Sequence, residues 1–340
     1  MKKLFATKTE VVREGYSLGI DIGTSFVKAV KLKRSKEKTE LCSFLLEPIQ
    51  IDLTAILKKL TEGPASRFTT LSVSGASSII RYINFLKMNA DELKNALKFE
   101  AQKYIPFALA DVNIDSCILK PDLADNKMLV LLAAVKKDYL SVRLKSVADS
   151  GIKVNTVDLD SLALVNSFIY NYPQAGPVEH QAAALINIGH SVTNLNIIEG
   201  QIPQLSRDIN IAGKNFTQKI VEILELDNNA AEQLKLNPDK DRMTKVIQIM
   251  ESVLSVLAAE LRTSFDYYES QSASSVKKIY LSGGTSLFPG LNGMLSGLLD
   301  VEVVCWDPFA QVAMQKDIDI AKIKDAGGQF AVALGLALRG

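Results

Sequence analysis

The chain has little cysteine, no dominant charge and no long apolar run, and each shortage removes a class of protein. Its three cysteines, Cys42, Cys117 and Cys305, are odd in number and far apart. That spacing suits structural thiols in a reducing compartment and argues against a disulfide scaffold or a cysteine-held metal cluster. Lys and Arg total 39 against 38 for Asp and Glu. Such a balance sets up no field for nucleic acid or for an anionic membrane surface. The longest apolar stretch, Met128–Val135, is of strand length and far short of a membrane span. Leu4-Phe5-Ala6, after Lys2 and Lys3, is too short for the core of a signal peptide. A soluble cytoplasmic protein is expected. What the chain does have is core-forming residues: 47% of its 340 residues are hydrophobic, enough for two domains.

The organising stretch is residues 17–32. Leu18, Ile20 and Ile22 form an apolar run in which Asp21 is the one charge. Gly23, Thr24 and Ser25 follow, and Phe26, Val27, Ala29 and Val30 resume a strand pattern. This predicts two strands joined by a tight turn. A glycine there lets another group approach the backbone, and successive turn amides with small hydroxyls beside them can nest an anion. An aspartate in such a strand needs a partner or a hydrated cation. A hairpin of this kind is commonplace alone, but it recurs. Ile186-Asn187-Ile188-Gly189-His190-Ser191 repeats Ile20-Asp21-Ile22-Gly23-Thr24-Ser25 as Ile-Asx-Ile-Gly-X-Ser, 166 residues further on. A third glycine turn, Gly283-Gly284-Thr285, follows the strand-like Val276–Leu281.

Two such hairpins a domain apart, then a strand and a Gly-Gly-Thr turn, resemble the actin-like ATPase superfamily. Three further stretches resemble the PilM family of type IV pilus assembly, with FtsA the nearest other relative. They are Phe99–Phe107, Asp158-Leu159-Asp160 before an apolar helix, and the ending Ala331–Arg339. The resemblance covers nearly the whole chain. It implies an α/β protein with an actin-like two-domain fold, a duplicated mixed sheet with flanking helices. Residues 1–85 with 157–180 would form the first domain and 86–156 a small α/β insertion subdomain within it. Residues 181–340 would form the second domain, with 211–270 its mostly helical subdomain.

Local patterning agrees with that layout. Asn89 and Glu92 are spaced as a capping box for a helix that Pro106 stops. Strands are expected over 112–120 and 128–136, and a helix over 138–150 ending at Gly151. Gly75–Ser78 reads as a turn, and Pro173–His180 as a connector. A helix of about 28 residues starting at Met243 has an apolar stripe that belongs to a core.

The resemblance implies ATP (or ADP) in a cleft between the two halves. Gly23, Thr24 and Ser25 would hold one part of the phosphate chain, and Gly189, His190 and Ser191 the other. Gly213, Lys214, Glu232, Lys235, Gly283, Gly284 and Thr285 would frame ribose and adenine. Lys28 either reaches phosphate or lies along its strand, and Asp21 would position Mg²⁺ through water. From the residues alone, Gly213-Lys214 reads equally as an ordinary helix start, and Glu232 with Lys235 as a solvated pair on a helix face. One departure matters: actin-like ATPases usually carry Asp where this chain has Asn187. An amide supplies neither negative charge nor a base for water, and no carboxylate in the motif replaces it. Nucleotide binding with slow or absent hydrolysis is therefore expected, with no catalytic residue assigned.

The function implied is a cytoplasmic scaffold, peripheral to the inner membrane through its partner. It would bind the short N-terminal cytoplasmic peptide of PilN in a groove near Glu100–Phe107 and link it to the pilus motor ATPases. No nucleic acid and no direct membrane span are expected, and a homo-oligomer is compatible. Tyr104, Ile105 and Phe107 would equally serve to anchor a helix end. An FtsA-like membrane-associated filament protein should carry an amphipathic C-terminal anchor, which Leu338-Arg339-Gly340 does not provide. A sugar-kinase-like phosphotransferase would need a catalytic aspartate, for which Asp158 and Asp160 qualify by position alone.

Overall fold

The computed structural model describes residues 14–49, 52–173 and 181–339. The polar N-terminal stretch and nearly all of the Pro173–His180 connector lie outside the described residues. The chain divides into two compact units. The first comprises the residues up to Ile22, Phe26–Asn166 and Ala333 onward; the second comprises Gly23–Ser25 and Ser167–Val332.

In the first unit, β1 (Gly15–Ile22), β2 (Phe26–Arg34) and β3 (Thr39–Pro48) form the expected antiparallel meander. α1 (Leu53–Lys58) follows, its first turn capped by the Asp52 side chain, which accepts from the Thr54 N–H. β4 (Phe68–Val73) runs parallel to β1. A separate three-stranded sheet comes next, made of β5 (Ser78–Leu86), β6 (Val112–Leu123) and β7 (Lys127–Lys136) in the order β5-β7-β6. Against it packs α2 (Ala90–Glu100), which starts with the predicted Asn89–Glu92 capping box and buries Leu93 and Leu97. α3 (Lys137–Ala148) leads to β8 (Thr156–Leu159), which pairs in parallel with β4, and then to α4 (Asp160–Asn171).

The second unit repeats the scheme. β9 (Gln181–Ile188), β10 (Thr193–Glu199) and β11 (Ile202–Ile209) form another antiparallel meander. α5 (Gly213–Leu224), α6 (Asn228–Leu236) and α7 (Met243–Gln271) follow. The 29-residue α7 buries Val246, Met250, Leu254, Leu257, Leu261 and Phe265 in one stripe, the core face that its periodicity predicts. β12 (Ser275–Ser282) and, after α8 (Leu291–Leu299), β13 (Glu302–Cys305) add in parallel beside β9. The chain ends with the short β14 (Ala313–Met314), α9 (Ile320–Ala326) and α10 (Ala331–Ala337).

The duplication is plain in the strand orders. The first unit contributes β3-β2-β1-β4-β8 to its sheet, and the second has β11-β10-β9-β12-β13. Each is a three-strand meander extended by two parallel strands. Among the described residues, no helix is long and apolar enough to cross a membrane.

Two expectations about boundaries need correcting. The inserted sheet begins at Ser78, not 86, because β5 belongs to it. Of the residues in β5 only Ile83 is buried, so the strand lacks the alternation that marks a core face. The second domain does not run to residue 340, since the chain from Ala333 belongs to the first unit. Gly19 of β1 faces Leu336, whose Cβ would lie 2.8 Å from an added Gly19 Cβ. A Cβ on Gly335 would overlap the Ala163 carbonyl. Arg34 donates to the Leu338 carbonyl at 2.7 Å, and Arg339 forms a buried ion pair with Asp158 at 3.0 Å. These contacts join residues that are remote in sequence, so spacing could not announce them.

Candidate functional site

The first hairpin explains its buried aspartate directly. Asp21 and Lys28 are cross-strand partners in the β1–β2 register, and the Lys28 ammonium donates to Asp21 Oδ2 at 2.5 Å. The Asp21 side chain is only 5% exposed. A carboxylate that deep needs a counter-charge, and the neighbouring strand supplies it. Among the described residues there is no group of three acidic, His or Cys side chains able to hold a metal ion. The donor set therefore suits no directly coordinated cation. A single carboxylate suits an outer-sphere contact with a hydrated Mg²⁺.

The second hairpin places an amide pair at the equivalent positions. Asn187 and Asn194 are cross-strand partners between β9 and β10, and Asn187 Nδ2 donates to Asn194 Oδ1 at 3.0 Å. The Ser282 hydroxyl donates to Asn187 Oδ1 at 3.4 Å. Asn194 Nδ2 in turn donates to Asp208 Oδ1 on β11 at 2.9 Å. Both ends of the Asn187 amide are thus engaged. Asp208 is the nearest acid in this chain of bonds, reached from Asn187 through Asn194. It lay outside the glycine motif, and only the strand pairing brings it in.

Within the second unit, three glycine turns converge. The Gly213 N–H donates to the Gly189 carbonyl at 2.9 Å, and the Lys214 N–H to the His190 carbonyl at 2.7 Å. The start of α5 is thereby tied to the turn after β9. An added Cβ at Gly213 would lie 2.8 Å from Thr285 Oγ1 and 3.0 Å from the Gly189 carbonyl. The Thr285 hydroxyl itself donates to that carbonyl at 3.3 Å. Gly283 sits at φ +96°, where its Cβ would overlap the Ile188 carbonyl. Gly283 requires glycine, and at Gly213 a side chain would have to displace Thr285. The Gly23–Ser25 turn belongs to this unit, and Thr24 Oγ1 lies 2.8 Å from Ser191 Oγ.

Lys235 settles one open alternative. Its side chain is 3% exposed and points inward, donating to Glu232 Oε2 at 2.7 Å, to Thr217 Oγ1 at 2.9 Å and to the Gly213 carbonyl at 3.3 Å. The Thr217 hydroxyl completes the group by donating to the Glu232 carboxylate. The pair is therefore a bracket between α6 and the start of α5, not a solvated helix face. Burial pushes the Lys235 ammonium below its ordinary pKa, with Glu232 opposing. His190 keeps an exposed edge, yet burial of the rest pushes it below its ordinary value, so the ring is neutral near pH 7.

The arrangement is a backbone-lined cradle closed by glycines, with one ammonium held beneath it and turn hydroxyls at its edge. Its chemistry suits a phosphate-bearing ligand whose rings or oxygens approach main chain closely. The structure brings together Gly189, His190, Gly213, Lys214, Glu232, Lys235, Gly283 and Thr285, all in one unit. Gly284 lies alongside, where an added Cβ would meet Gln329 Oε1 at 3.4 Å. Asp21 and Lys28 belong to the first unit, where they hold each other.

The region near Glu100–Phe107 reads differently from the expected groove. Ile105 is buried in the core of the inserted sheet, and Tyr104 and Phe107 pack against that core. These residues anchor the end of α2. A cavity of about 340 Å³ does occur in the first unit, lined by β6, β7, α3, β8 and Arg339, with none of Glu100–Phe107 in its wall.

The family model described as Type IV pilus assembly protein PilM matches residues 19–340. Among solved structures, the PilM–PilN type IV pilus biogenesis complex superposes with a TM-score of 0.84 at 27% identity, covering 95% of this chain and 98% of that one. The ethanolamine utilization protein EutJ from Carboxydothermus hydrogenoformans shares the fold, with a TM-score of 0.55 at 15% identity over 96% of this chain and 91% of its own. The chain belongs to the PilM family of type IV pilus assembly proteins and has its actin-like ATPase fold.

Proposed function

We propose that this chain is a nucleotide-binding scaffold of the type IV pilus assembly platform, holding the cytoplasmic N-terminal tail of PilN and linking it to the motor ATPases. The observation that carries this reading is the similarity, over nearly its whole length, to the PilM of a PilM–PilN complex. On this reading the chain works in the cytoplasm and meets the inner membrane through that partner.

ATP or ADP is the ligand of the glycine-lined cradle. Gly213, Gly283 and Gly284 give main chain to the nucleoside, with Glu232, Lys235, Lys214 and Thr285 around it. Gly189, His190 and Ser191 serve phosphate, as do Gly23, Thr24 and Ser25. Lys28 adds a cation, and a Mg²⁺ accompanying the nucleotide keeps its water shell and meets Asp21 through water. Hydrolysis is slow or absent, because the engaged Asn187 amide offers no base to water and no charge to a metal. Nucleotide then acts as a structural ligand and stabilises the folded chain by mass action.

The test is fluorescence anisotropy of a labelled synthetic PilN tail peptide titrated with the full chain, with and without ATP. Saturable binding supports the scaffold. No binding in either condition removes PilN from the account.

A further inference from the structure

The third glycine turn has a neighbour that none of the motifs includes. Gln329 lies in the short helical turn Gly327–Phe330, just before α10. The Gly283 N–H donates to the Gly328 carbonyl at 3.0 Å, so main chain fastens the two turns together. A Cβ added to Gly284 would meet Gln329 Oε1 at 3.4 Å, Cδ at 3.8 Å and Cγ at 3.9 Å. The Gln329 side chain therefore lies along the face that Gly284, with no Cβ, leaves open. Both turns belong to the second unit.

The other polar side chains of this corner are committed to main chain. The Thr285 hydroxyl donates to the Gly189 carbonyl at 3.3 Å and the Ser286 hydroxyl to the Gly283 carbonyl at 2.6 Å. Gln329 is half-buried, and its carboxamide has no hydrogen-bond partner among the described residues. A carboxamide carries two N–H donors and an acceptor oxygen. A partly desolvated group of that kind gains by finding partners. Leu287, at the end of the Gly284–Leu287 turn, is a large apolar side chain left 38% exposed. The corner thus offers an open glycine backbone, apolar surface and one uncommitted donor beside an acceptor. Those are the elements that hold a heteroaromatic base by its face and its edge.

We infer that Gln329 reads the base edge of the bound nucleotide and selects adenine over guanine, its oxygen accepting from the N6 amino group while its amide N–H donates to N7. Adenine presents a donor beside an acceptor at that edge, the complement of a carboxamide. Guanine presents two acceptors there, O6 and N7, so one of them faces the carboxamide oxygen unpaired. This deepens the nucleotide-binding reading of the cradle and rests on it.

The experiment titrates the full chain with ATP and with GTP, each with Mg²⁺, by calorimetry. Wild type is compared with Gln329→Met, which keeps the reach of the side chain and removes both hydrogen-bonding groups, and with the isosteric Gln329→Glu, which keeps acceptors and loses the donor. Each ratio of ATP to GTP affinity is taken within one protein, so a smaller folded fraction weakens both nucleotides alike and cannot imitate the effect. Wild type should prefer ATP by about tenfold or more, the discrimination expected of one bidentate pair. Gln329→Met should lose most of that preference by weakening ATP while GTP changes little. Gln329→Glu should also bind ATP more weakly than wild type. Equal affinity of wild type for ATP and GTP overturns the inference and leaves the nucleotide cradle intact. So does a Gln329→Met variant that keeps the wild-type ratio, or a Gln329→Glu variant that binds ATP as wild type does. If wild type binds neither nucleotide, the cradle reading fails and the inference fails with it.

Discussion

Lys28 neutralises Asp21 across the first hairpin at 2.5 Å, whereas the equivalent positions of the second hairpin hold the uncharged pair Asn187 and Asn194. The two copies solve the same problem, a polar pair deep in a meander, with different chemistry. Only the charged copy retains a carboxylate for a hydrated cation, and only it loses a buried counter-charge when one partner is removed.

Lys28→Met should therefore destabilise the fold by about 2–4 kcal/mol, at or just below the range for breaking a buried pair, because Lys28 keeps some exposure. Replacing both partners, with Asp21→Asn and Lys28→Asn together, copies the second hairpin and should recover most of that loss. Urea denaturation midpoints of the three proteins check it. A single Lys28→Met variant as stable as wild type contradicts the pairing.

Gly213→Ala puts a methyl against Thr285 Oγ1 and the Gly189 carbonyl, and Gly283→Ala adds a positive φ to a backbone overlap. Overpacking of this sort costs about 1–3 kcal/mol, and more where the backbone must move. Gly283→Ala should be the worse of the two in thermal unfolding, and both should weaken retention of ATP. Gly297→Ala, in open space on α8, is the control: it should leave ATP retention unchanged and melt slightly higher, since alanine is the better helix former.

Lys235→Met removes three hydrogen bonds from the bracket between α5 and α6 while keeping an apolar stem of similar reach. The Thr217 hydroxyl loses its donor and the Glu232 carboxylate its counter-charge, while the Gly213 carbonyl keeps the Thr217 hydroxyl at 3.0 Å. ATP affinity should fall at least tenfold. Calorimetric titration gives the readout, and unchanged affinity would place the nucleoside elsewhere.

Burial raises the carboxyls of Asp115 and Asp158 above 3.8 in the folded chain. Between that value and the raised native one, the native state holds a proton that the unfolded chain has released. Stability from these groups is therefore greatest below the unfolded pKa and is lost as pH rises through the folded pKa. Asp115→Asn should flatten this decline in urea midpoints taken across mildly acidic pH. A midpoint that falls with pH just as steeply in both proteins would contradict the assignment.

Much of the fold was legible because it was written in local pattern. The two hairpins announced themselves by alternation and a glycine, α2 by its Asn89–Glu92 box, and α7 by its stripe. β5 was not legible, since Ile79, Ile83 and Phe85 pack into one cluster and Ile80 and Tyr82 into another, so the strand has apolar residues on both faces and no simple alternation. Nor was the return of the chain end to the first unit, because Arg339 meets Asp158 across a long loop of sequence. In the site, the glycines were readable from their turns. The inward turn of Lys235 was not, as a spacing of three places two side chains on one helix face without saying which way that face looks. Asp208 was missed because it reaches Asn194 from a third strand, and register between strands is set by pairing and not by motif.

The central claim is that this chain holds nucleotide without consuming it. The direct measurement is to incubate the purified full chain with ATP and Mg²⁺, remove free nucleotide by gel filtration, and quantify bound ATP and ADP by chromatography over several hours. The account predicts ATP retained intact by wild type and lost by Gly283→Ala. Rapid conversion to ADP would contradict it and make the chain an ATPase despite Asn187, and wild type eluting with no nucleotide would contradict it from the other side.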